Sequence, residues 1–294
     1  MSGTALVLVL SAALVHSGWN ALAKRASSPL AFLWSSVTMA AVIFLPLSAG
    51  FLRDGLPAAA VPYVLGTSVI HAAYFYALGR ALASGDFSLV YPIARGLGVG
   101  LVPVGAFVLL GERLSPLGAT GVGLVVLGIV LANAAAGGLR RRPGAGKGTS
   151  AGKGTSAGKG TGWAVVTGVT VATYSLVDKV GVTHLHPLPY LALMGAGISL
   201  LLLPSVRRTG ALRREWTINW PTILVAACLN LTSYLLVLFA FRLSKAAYVV
   251  AARETSIVFS VLIGGVWFGE GRLAGRLAAA GVVLAGVACV ALAR

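Results

Sequence analysis

Ten apolar runs, separated by short polar segments, constrain this fold more than any other feature of the sequence. Each run approaches the ~20 residues that an α-helix needs to cross the hydrocarbon core of a bilayer. Only 10% of the residues are charged and 57% are hydrophobic, whereas soluble domains carry about 25% charged residues. We therefore predict an all-α polytopic membrane protein with ten transmembrane helices, at residues 3–23, 30–50, 59–82, 87–109, 116–136, 162–182, 187–205, 219–241, 246–268 and 276–293.

The basic residues are distributed unevenly between alternate loops. The chain has 23 Lys and Arg against seven Asp and Glu, a net charge of +16, which in a soluble protein would suggest nucleic-acid binding. With ten spans, fifteen basic residues fall in one set of alternate loops and six in the other. Because cytoplasmic loops are usually the more basic ones, we predict a plasma (inner) membrane protein with both termini outside. No nucleic-acid partner is expected.

The segment 137–161 differs from the rest of the chain in composition. It contains GAGKGTSAGKGTSAGKGTG, a repeat rich in Gly, Lys, Ser and Thr that is typical of a flexible, solvated linker. The string PGAGKGT resembles a nucleotide-binding phosphate loop, but such a loop needs a buried strand before it and a helix after it. Neither is predicted here, so we interpret the segment as a cytoplasmic linker and expect no cofactor.

The linker separates two similar halves, residues 3–136 and 162–293. A shift of 158 positions aligns Arg95 with Arg253 and Glu112 with Glu270. Because each half contains an odd number of predicted spans, the second half must insert upside down relative to the first. Inverted repeats of this kind are the plan of many secondary transporters, which bind substrate near the membrane midplane.

Several segments resemble the EamA-type proteins of the drug/metabolite transporter superfamily. The resemblance implies a ten-helix bundle around a central cavity that moves small metabolites by alternating access. The second half departs from the first at Val250, which takes the place of Pro92, so a kink predicted near Pro92 is not expected in the ninth span. The segments are HSGWNALAK at 16–24, YFYALGRALASGDFSLVYPIAR at 74–95, GERLSPLGATGVGLVVLGIVL at 111–131, AARE at 251–254 and GEGRLAGRLAAAGVVLAG at 269–286.

Two arginines lie inside predicted spans, which makes them the strongest candidates for function. Arg95 and Arg253 lie about 10–12 Å into the ~30 Å hydrocarbon core, at 1.5 Å per residue. A charge at this depth is expected to face a cavity or a partner. Glu254 adjoins Arg253 but projects about 100° away around the helix, so it is not an automatic partner. Substrate contact and a purely structural role both stay open for each arginine.

Polar side chains spaced three or four residues apart mark one face of spans one, three, four, six and eight. We expect these faces and the two arginines to line a substrate cavity. The hydroxyls of Thr67, Ser88, Thr170 and Ser233 are more typical of helix-to-helix contacts or of bonds back to their own turn. The candidate substrate-binding residues are His16, Trp19, Asn20, His71, Tyr74, Tyr91, Arg95, Tyr174, Asp178, Asn230, Tyr234 and Arg253.

Other polar residues receive narrower interpretations. Asp178 and Glu254 are the candidates for proton coupling, because an intramembrane carboxylate can carry a proton. Glu112 and Glu270 end their spans and are expected to serve structure at the interface. The pair His184 and His186 is expected to be solvent-exposed, and no metal site is predicted. Glycines are interpreted as close-packing surfaces, namely Gly96, Gly98, Gly100, Gly118, Gly121, Gly123 and Gly128.

The favoured hypothesis is a secondary transporter, most simply an exporter, of a small polar or zwitterionic metabolite such as an amino acid. The first alternative is an exporter of cationic, lipophilic drugs, for which an acidic site at Asp178 or Glu254 should dominate. An intramembrane enzyme is disfavoured because the sequence offers no HExxH helix, GxSxG elbow or CxxC pair, and a scaffold is also disfavoured. The bilayer and a small molecule are the expected partners, and a homodimer stays open.

Overall fold

The computed structural model describes residues 1–23, 26–84, 87–135, 153–208, 210–259, 261–262 and 273–293. All regular secondary structure in these ranges is helical, which confirms the all-α prediction. Eight helices of the described ranges are long and apolar enough to cross a bilayer, and the apolar stretch Gly3–Trp19 is shorter. The chain is an integral, polytopic membrane protein.

The helices follow the predicted spans closely, except in the sixth, eighth and ninth. Short 3₁₀ turns at Ala49–Leu52 and Ala58–Ala60 join the second and third helices. The helices are α1 (Gly3–Ala23), α2 (Pro29–Ser48), α3 (Val61–Ser84), α4 (Phe87–Leu110), α5 (Pro116–Ala135), α6 (Lys153–His184), α7 (Pro187–Arg208), α8 (Ala211–Leu243), α9 (Ala246–Arg253) and α10 (Leu273–Leu292).

The start of α6 differs from the prediction. This helix begins at Lys153, so residues 153–161 are helical rather than part of the linker 137–161. Adding a turn to an existing helix costs far less than starting one, so a helix anchored by its apolar span can extend into a polar sequence. The rest of the predicted linker, up to residue 152, lies outside the described residues. The division of the chain into two repeats and a linker stays a prediction.

Helices of the first half pack mainly against helices of the second half. The largest contacts join α5 to α10, α3 to α6, α4 to α6, α1 to α8 and α2 to α7. The first helix of each half meets the third helix of the other half. Thus α1 contacts α8, and α6 contacts α3. This pairing is expected of two five-helix halves related by a twofold axis.

Glycines bring α5 and α10 into backbone contact. A Cβ atom added at Gly121 would lie 2.7 Å from the carbonyl oxygen of Gly286, which is too close for any other residue. The predicted close packing is confirmed at Gly121 and Gly128, and also at Gly98 and Gly118. It is wrong at Gly96, Gly100 and Gly123, because an added Cβ there would meet no described atom within 4 Å.

The ninth span is interrupted, contrary to the prediction of a continuous helix over 246–268. The helix α9 ends at Arg253, the backbone turns at Glu254 and Thr255, and helical backbone resumes at residues 256–259. The amides of Glu254 and Thr255 bond to carbonyls three residues back, at Ala251 and Ala252, over 3.1 Å each. The Thr255 hydroxyl also donates to the Ala252 carbonyl at 2.7 Å. These bonds tighten the helix without proline, whereas α4 runs unbroken through Pro92.

Two glutamates stabilise helix ends near the membrane boundaries. Both carboxylate oxygens of Glu112 accept the amide of Ala246, at 3.1 and 2.9 Å, and so cap α9. This geometry confirms the structural role predicted for Glu112, and burial raises the pKa of its carboxyl group. Glu270 lies outside the described residues. The second glutamate, Glu215, was missed because it lies in the segment predicted as a loop before span eight.

Glu215 joins the start of α2 to the beginning of α8. Its carboxylate is fully buried and accepts the Ser27 hydroxyl at 2.6 Å, the Ser28 amide at 2.8 Å and the Asn219 amide group at 2.6 Å. Since Ser28 precedes the first turn of α2, the carboxylate occupies the N-terminal end of that helix, where a negative charge is stabilised.

Candidate functional site

A cavity opens between helices of both halves, at the centre of the bundle. Its volume is about 70 Å³. Predicted residues that line it are His16, Trp19, His71, Tyr74, Tyr174, Asn230, Tyr234 and Arg253. Apolar side chains complete the wall, chiefly from α2 and α7, as Val37, Ala40, Ala41, Phe75, Leu191, Met194, Gly195, Ile198 and Leu231. The sequence could not identify this apolar part, because such residues look the same whether they face lipid, protein or a cavity.

Four predicted site residues are not among the described residues that line the cavity, for two different reasons. The side chains of Asn20 and Tyr91 lie outside the described part of the chain. Arg95 and Asp178 are described, but each lies behind the wall, where it bonds to protein groups. Both stay candidates for a role in transport, although direct contact with substrate would require movement.

Aromatic rings form one side of the cavity. The His71 ring stacks on Tyr174, with centroids 4.0 Å apart, and meets the edge of Tyr234 at 5.5 Å. Tyr74 also meets Tyr174 edge-on at 5.6 Å. The spacing of His71 and Tyr74 by three residues places both on one face of α3, so the helical period predicted correctly which face turns inward.

Asp178 is the centre of a saturated hydrogen-bond network that we call the carboxylate hub, comprising Thr67, Asp178, Tyr190 and Tyr234. The Thr67 hydroxyl donates to one carboxylate oxygen at 2.5 Å and the Tyr190 hydroxyl donates to the same oxygen at 2.8 Å. Tyr234 donates to the other oxygen. Asp178 has no solvent exposure, so the hub joins α3, α6, α7 and α8 in the protein interior.

Thr67 extends this network to the cavity wall. Its hydroxyl lies 2.9 Å from Nδ1 of His71, which is also 3.1 Å from the Thr67 carbonyl oxygen. A carbonyl can only accept, so Nδ1 of His71 carries the proton and donates. The predicted helix-to-helix role of Thr67 is confirmed by its bond to Asp178. Ser233 likewise bonds to the Ala12 carbonyl at 2.9 Å, whereas Thr170 bonds within its own helix to Thr167.

The two intramembrane arginines occupy different environments. Arg95 forms a salt bridge to Glu254, with 2.8 Å between Nη1 and Oε1. Arg253 instead faces the cavity, with its guanidinium carbon 5.4 Å from the centroid of the Tyr234 ring. The buried Nε of Arg253 and the buried Oε2 of Glu254 have no hydrogen-bond partner within the described part of the chain. The sequence aligns these arginines in the two halves, whereas among the described residues only Arg95 has an acidic partner.

His16 lies between the two arginines, and we call His16, Trp19, Arg95 and Arg253 the donor cluster. Nη2 of Arg95 approaches Nε2 of His16 at 2.8 Å. On the other ring nitrogen, the Trp19 indole nitrogen lies 3.0 Å from Nδ1 and Nη2 of Arg253 lies 3.5 Å from it. His16 is only 4% exposed. Three donors therefore meet one imidazole at the edge of the cavity.

The HLH pair lies away from the cavity, after α6. His184 is exposed, as predicted, and stacks on Tyr63 with centroids 5.1 Å apart. His186 is half-buried and stacks on Phe51 at 4.1 Å. Burial and the charge of Arg242 lower the pKa of His186. Within the described ranges, no group of three His, Cys, Asp or Glu side chains is placed to hold a metal ion.

Three curated relatives share sequence with this chain. A sequence model described as the EamA-like transporter family matches residues 158–292. A spermidine export protein, MdtI, from Salmonella arizonae is 31% identical over 117 residues, which are 40% of this chain and 91% of that protein. The MdtI proteins of Klebsiella pneumoniae and Cronobacter sakazakii are 31% and 32% identical, over 91% and 75% of their lengths and 40% and 30% of this chain.

A solved crystal structure has the same fold over nearly the whole chain. The TM-score is 0.72, and the match covers 99% of this chain and 98% of that chain. At 16% identity this likeness establishes the fold alone. The chain belongs to the drug/metabolite transporter superfamily and carries an EamA-like transporter domain.

Proposed function

We propose that this membrane transporter exports a small metabolite that carries a carboxylate, such as a zwitterionic amino acid. Arg253 provides the observation that supports this substrate class. Among the described residues that line the cavity, it alone has a charged side chain, and its buried Nε has no described partner. An arginine exposed to a small, largely apolar cavity attracts an anion strongly, because little water competes for it.

The remaining acidic groups near the cavity are already bonded to protein. Glu254 is paired with Arg95, and Asp178 accepts three hydroxyl groups. The cavity therefore presents net positive charge, contributed by Arg253. The aromatic rings and the apolar wall from α2 and α7 would then contact the apolar part of the metabolite, while Asn230 supplies an amide.

Access to this cavity requires the helices to move. A volume of about 70 Å³ holds a few water molecules, whereas pockets for small molecules have about 300 Å³ or more. Since the cavity is lined by helices of both halves, we infer that one half rocks against the other. The cavity would open alternately to each side of the membrane, as in other inverted-repeat transporters.

Export of a cation is the second candidate function, and two observations favour it. The relatives that match this chain are named spermidine export proteins, and aromatic rings such as Tyr174 and Tyr234 can bind a cation through their faces. A polyamine would need an acidic group, and the candidates are the buried Oε2 of Glu254, whose Oε1 pairs with Arg95, and Asp178, which already accepts three hydroxyls. The carboxylate hypothesis requires neither group to bind substrate.

A binding screen on the detergent-purified protein distinguishes the two functions. A ligand that binds the folded state raises the apparent Tm, so even weak ligands register at high concentration. We expect stabilisation by amino acids, by acetate and propionate, and none by matched amino alcohols that lack the carboxylate. Arg253→Gln should abolish this effect, whereas Arg214→Gln, which alters an exposed arginine, should keep it.

Other outcomes of the same screen would decide against the proposal. Stabilisation by spermidine but by no carboxylate would establish the cation function instead. Unchanged carboxylate binding in Arg253→Gln would remove Arg253 from the site. Proteoliposomes loaded with the stabilising compound then measure transport and its direction. Proton movement that accompanies this transport would test the predicted coupling at Asp178 or Glu254.

The predicted orientation places both termini outside the inner membrane. The amino group of Met1 donates to the Ala293 carbonyl at 2.7 Å, which brings the two ends of the chain together. This contact supports a common side for both termini but does not choose which side. Labelling of single cysteines introduced near each end, by a reagent that cannot cross the membrane, tests the orientation in intact cells.

A further inference from the structure

His16 has more hydrogen-bond donors around it than its ring can accept. Its described partners are Trp19 Nε1, Arg95 Nη2 and Arg253 Nη2, and all three of these nitrogens can only donate. A neutral imidazole has one acceptor nitrogen and one N–H group. At least one ring nitrogen therefore points its own hydrogen at another donor, inside a site that is only 4% exposed at His16.

The distances indicate which ring nitrogen carries the hydrogen. Arg95 offers a charged donor to Nε2 at 2.8 Å, and its guanidinium is fixed by the salt bridge to Glu254. Nδ1 faces the neutral Trp19 donor at 3.0 Å and the more distant Arg253 at 3.5 Å. The Trp19 N–H group points at Nδ1, so Nδ1 and Nε2 each face a donor and only one of them can accept. Charge-assisted bonds of short length are the stronger ones, so in this competition Nε2 accepts from Arg95 and Nδ1 keeps its hydrogen.

This assignment leaves three donors facing one another beside the cavity. They are the Nδ1–H group of His16, the Nε1–H group of Trp19 and the guanidinium of Arg253, and all three residues line the cavity. No acceptor of the described residues bonds to the buried Nε of Arg253, and the buried Oε2 of Glu254 is likewise left without a donor. The open side of the cavity is where a ligand can supply the acceptor.

We propose that His16, Trp19 and Arg253 form the seat for the carboxylate of the transported metabolite. This inference rests on the proposed function and deepens it by assigning the atoms that bind. A carboxylate has two oxygens with about four acceptor positions, so it can satisfy every donor of the seat. Its single negative charge also balances Arg95, Arg253 and Glu254, which together carry one net positive charge. An alcohol brings a donor of its own and no charge.

Arg95 and Glu254 act in this seat as positioning residues. Arg95 occupies Nε2 of His16 and so keeps the hydrogen on Nδ1, the nitrogen near Trp19 and Arg253. Glu254 holds Arg95 in place at 2.8 Å. Without this pair, the ring is free to adopt the other tautomer and to accept from Trp19 instead, which would remove one donor from the seat.

The tautomer can be measured without any ligand. Protein labelled with ¹⁵N-histidine gives separate ring-nitrogen signals for the protonated and the unprotonated nitrogen, and His16→Phe identifies which of the four histidines is His16. We expect Nδ1–H in the wild type and a shift towards Nε2–H in Glu254→Gln. A wild-type ring protonated at Nε2, or at both nitrogens, would overturn the assignment of the seat.

Binding of acetate, propionate, glycine and leucine tests the seat directly. Trp19→Phe keeps an aromatic ring and removes one donor, so we expect about 10- to 100-fold weaker carboxylate binding. Trp34→Phe is the matched control, because the Trp34 indole donates to the Ser199 carbonyl instead. The same carboxylates should move the Nδ1 signal of His16 in the wild type and leave it unmoved in Arg253→Gln.

The outcomes separate this inference from the proposed function. If the wild type binds carboxylates and Arg253→Gln does not, while Trp19→Phe and His16→Phe bind like the wild type, the seat is wrong and the proposed function stands. If the wild type binds no carboxylate of this set, both fail. Because Trp19→Phe removes a donor that the seat leaves unsatisfied, whereas Trp34→Phe breaks a formed bond, the Tm of Trp19→Phe should be no lower than that of Trp34→Phe. A folding defect in His16→Phe alone would not affect the test.

Discussion

Asp178 and His16 each meet three hydrogen-bond donors inside the membrane, yet their chemistry gives opposite results. The Asp178 carboxylate has room for all three hydroxyls of the carboxylate hub. The His16 imidazole can accept at only one nitrogen, so the donor cluster is left unsatisfied. Both groups meet three donors, so the two sites differ in how many hydrogen bonds the carboxylate and the imidazole can accept.

This difference distinguishes a structural network, the carboxylate hub, from a candidate binding site, the donor cluster. A fully satisfied buried network stabilises one arrangement of the helices around it, whereas a buried donor without an acceptor costs free energy until something supplies that acceptor. The carboxylate hub joins four helices, and its carboxylate, Asp178, lies behind the cavity wall. The donor cluster lies at the cavity edge, where a ligand can complete it. The comparison predicts that mutations in the hub affect stability and mutations in the cluster affect binding.

The largest effect is expected from removal of the hub carboxylate. Asp178→Leu leaves the buried hydroxyls of Thr67, Tyr190 and Tyr234 without an acceptor, at about 1–3 kcal/mol each. We expect a loss of about 3 kcal/mol or more of unfolding free energy, measured by thermal unfolding in detergent. Asp54→Leu, at an exposed loop position, is the control. Equal stability of the two variants would show that the hub does not hold the helices.

A smaller loss of stability is expected when one donor is removed from the hub. Tyr190→Phe deletes one hydroxyl and leaves the Asp178 carboxylate with two donors, so we expect a loss of about 1–2 kcal/mol. Carboxylate binding should stay within about twofold of the wild type, since Tyr190 does not line the cavity. A strong loss of binding with unchanged stability would reverse the roles that we assign to the two clusters.

Tyr234 belongs to both regions and so tests the boundary between them. Its hydroxyl donates to Asp178 and its ring lies under Arg253. Tyr234→Phe should lower stability alone, whereas Tyr234→Leu should also weaken carboxylate binding by about 0.5–1 kcal/mol, because the ring no longer positions Arg253. Titration of the two variants side by side measures that difference. Identical binding in both variants would mean that the ring does not position Arg253.

The smallest effect on stability is expected at His16. His16→Phe removes a ring whose donors are mismatched, so the unfolding free energy without ligand should change by no more than about 1 kcal/mol. Chemical and thermal unfolding of the ligand-free variant check this value. A loss comparable to that of Asp178→Leu would mean that the donor cluster is satisfied in the folded protein, and it would contradict the comparison.

Helical periodicity predicted which faces turn inward, and it did so well. His71, Tyr74 and Tyr174 line the cavity as their spacing requires, and eight of the candidate residues reach its wall. The apolar contribution of α2 and α7 could not be predicted, because a membrane protein has apolar side chains on every kind of surface. Periodicity identifies a polar face only where the sequence places a polar group.

The sequence could not predict which residues from distant parts of the chain pair with one another. The salt bridge of Arg95 with Glu254 joins positions that differ by 159 in number, and the helical angle of Glu254 relative to Arg253 gave no sign of it. The interruption after Arg253 also had no proline to signal it. Both features depend on how the two halves pack, which composition and spacing do not encode.

The interruption in the ninth span depends on backbone hydrogen bonds, whose amides can change their carbonyl partners. A proline ring would fix such a break permanently, whereas here the amides of Glu254 and Thr255 have α-helical partners one residue further back. A 3₁₀ turn rises about 2.0 Å per residue against 1.5 Å in an α-helix. Exchange of these bonds would shorten the span and rotate Arg253 against Glu254. Such an exchange would turn a different side of this helix, with Arg253 and Glu254 on it, towards the cavity.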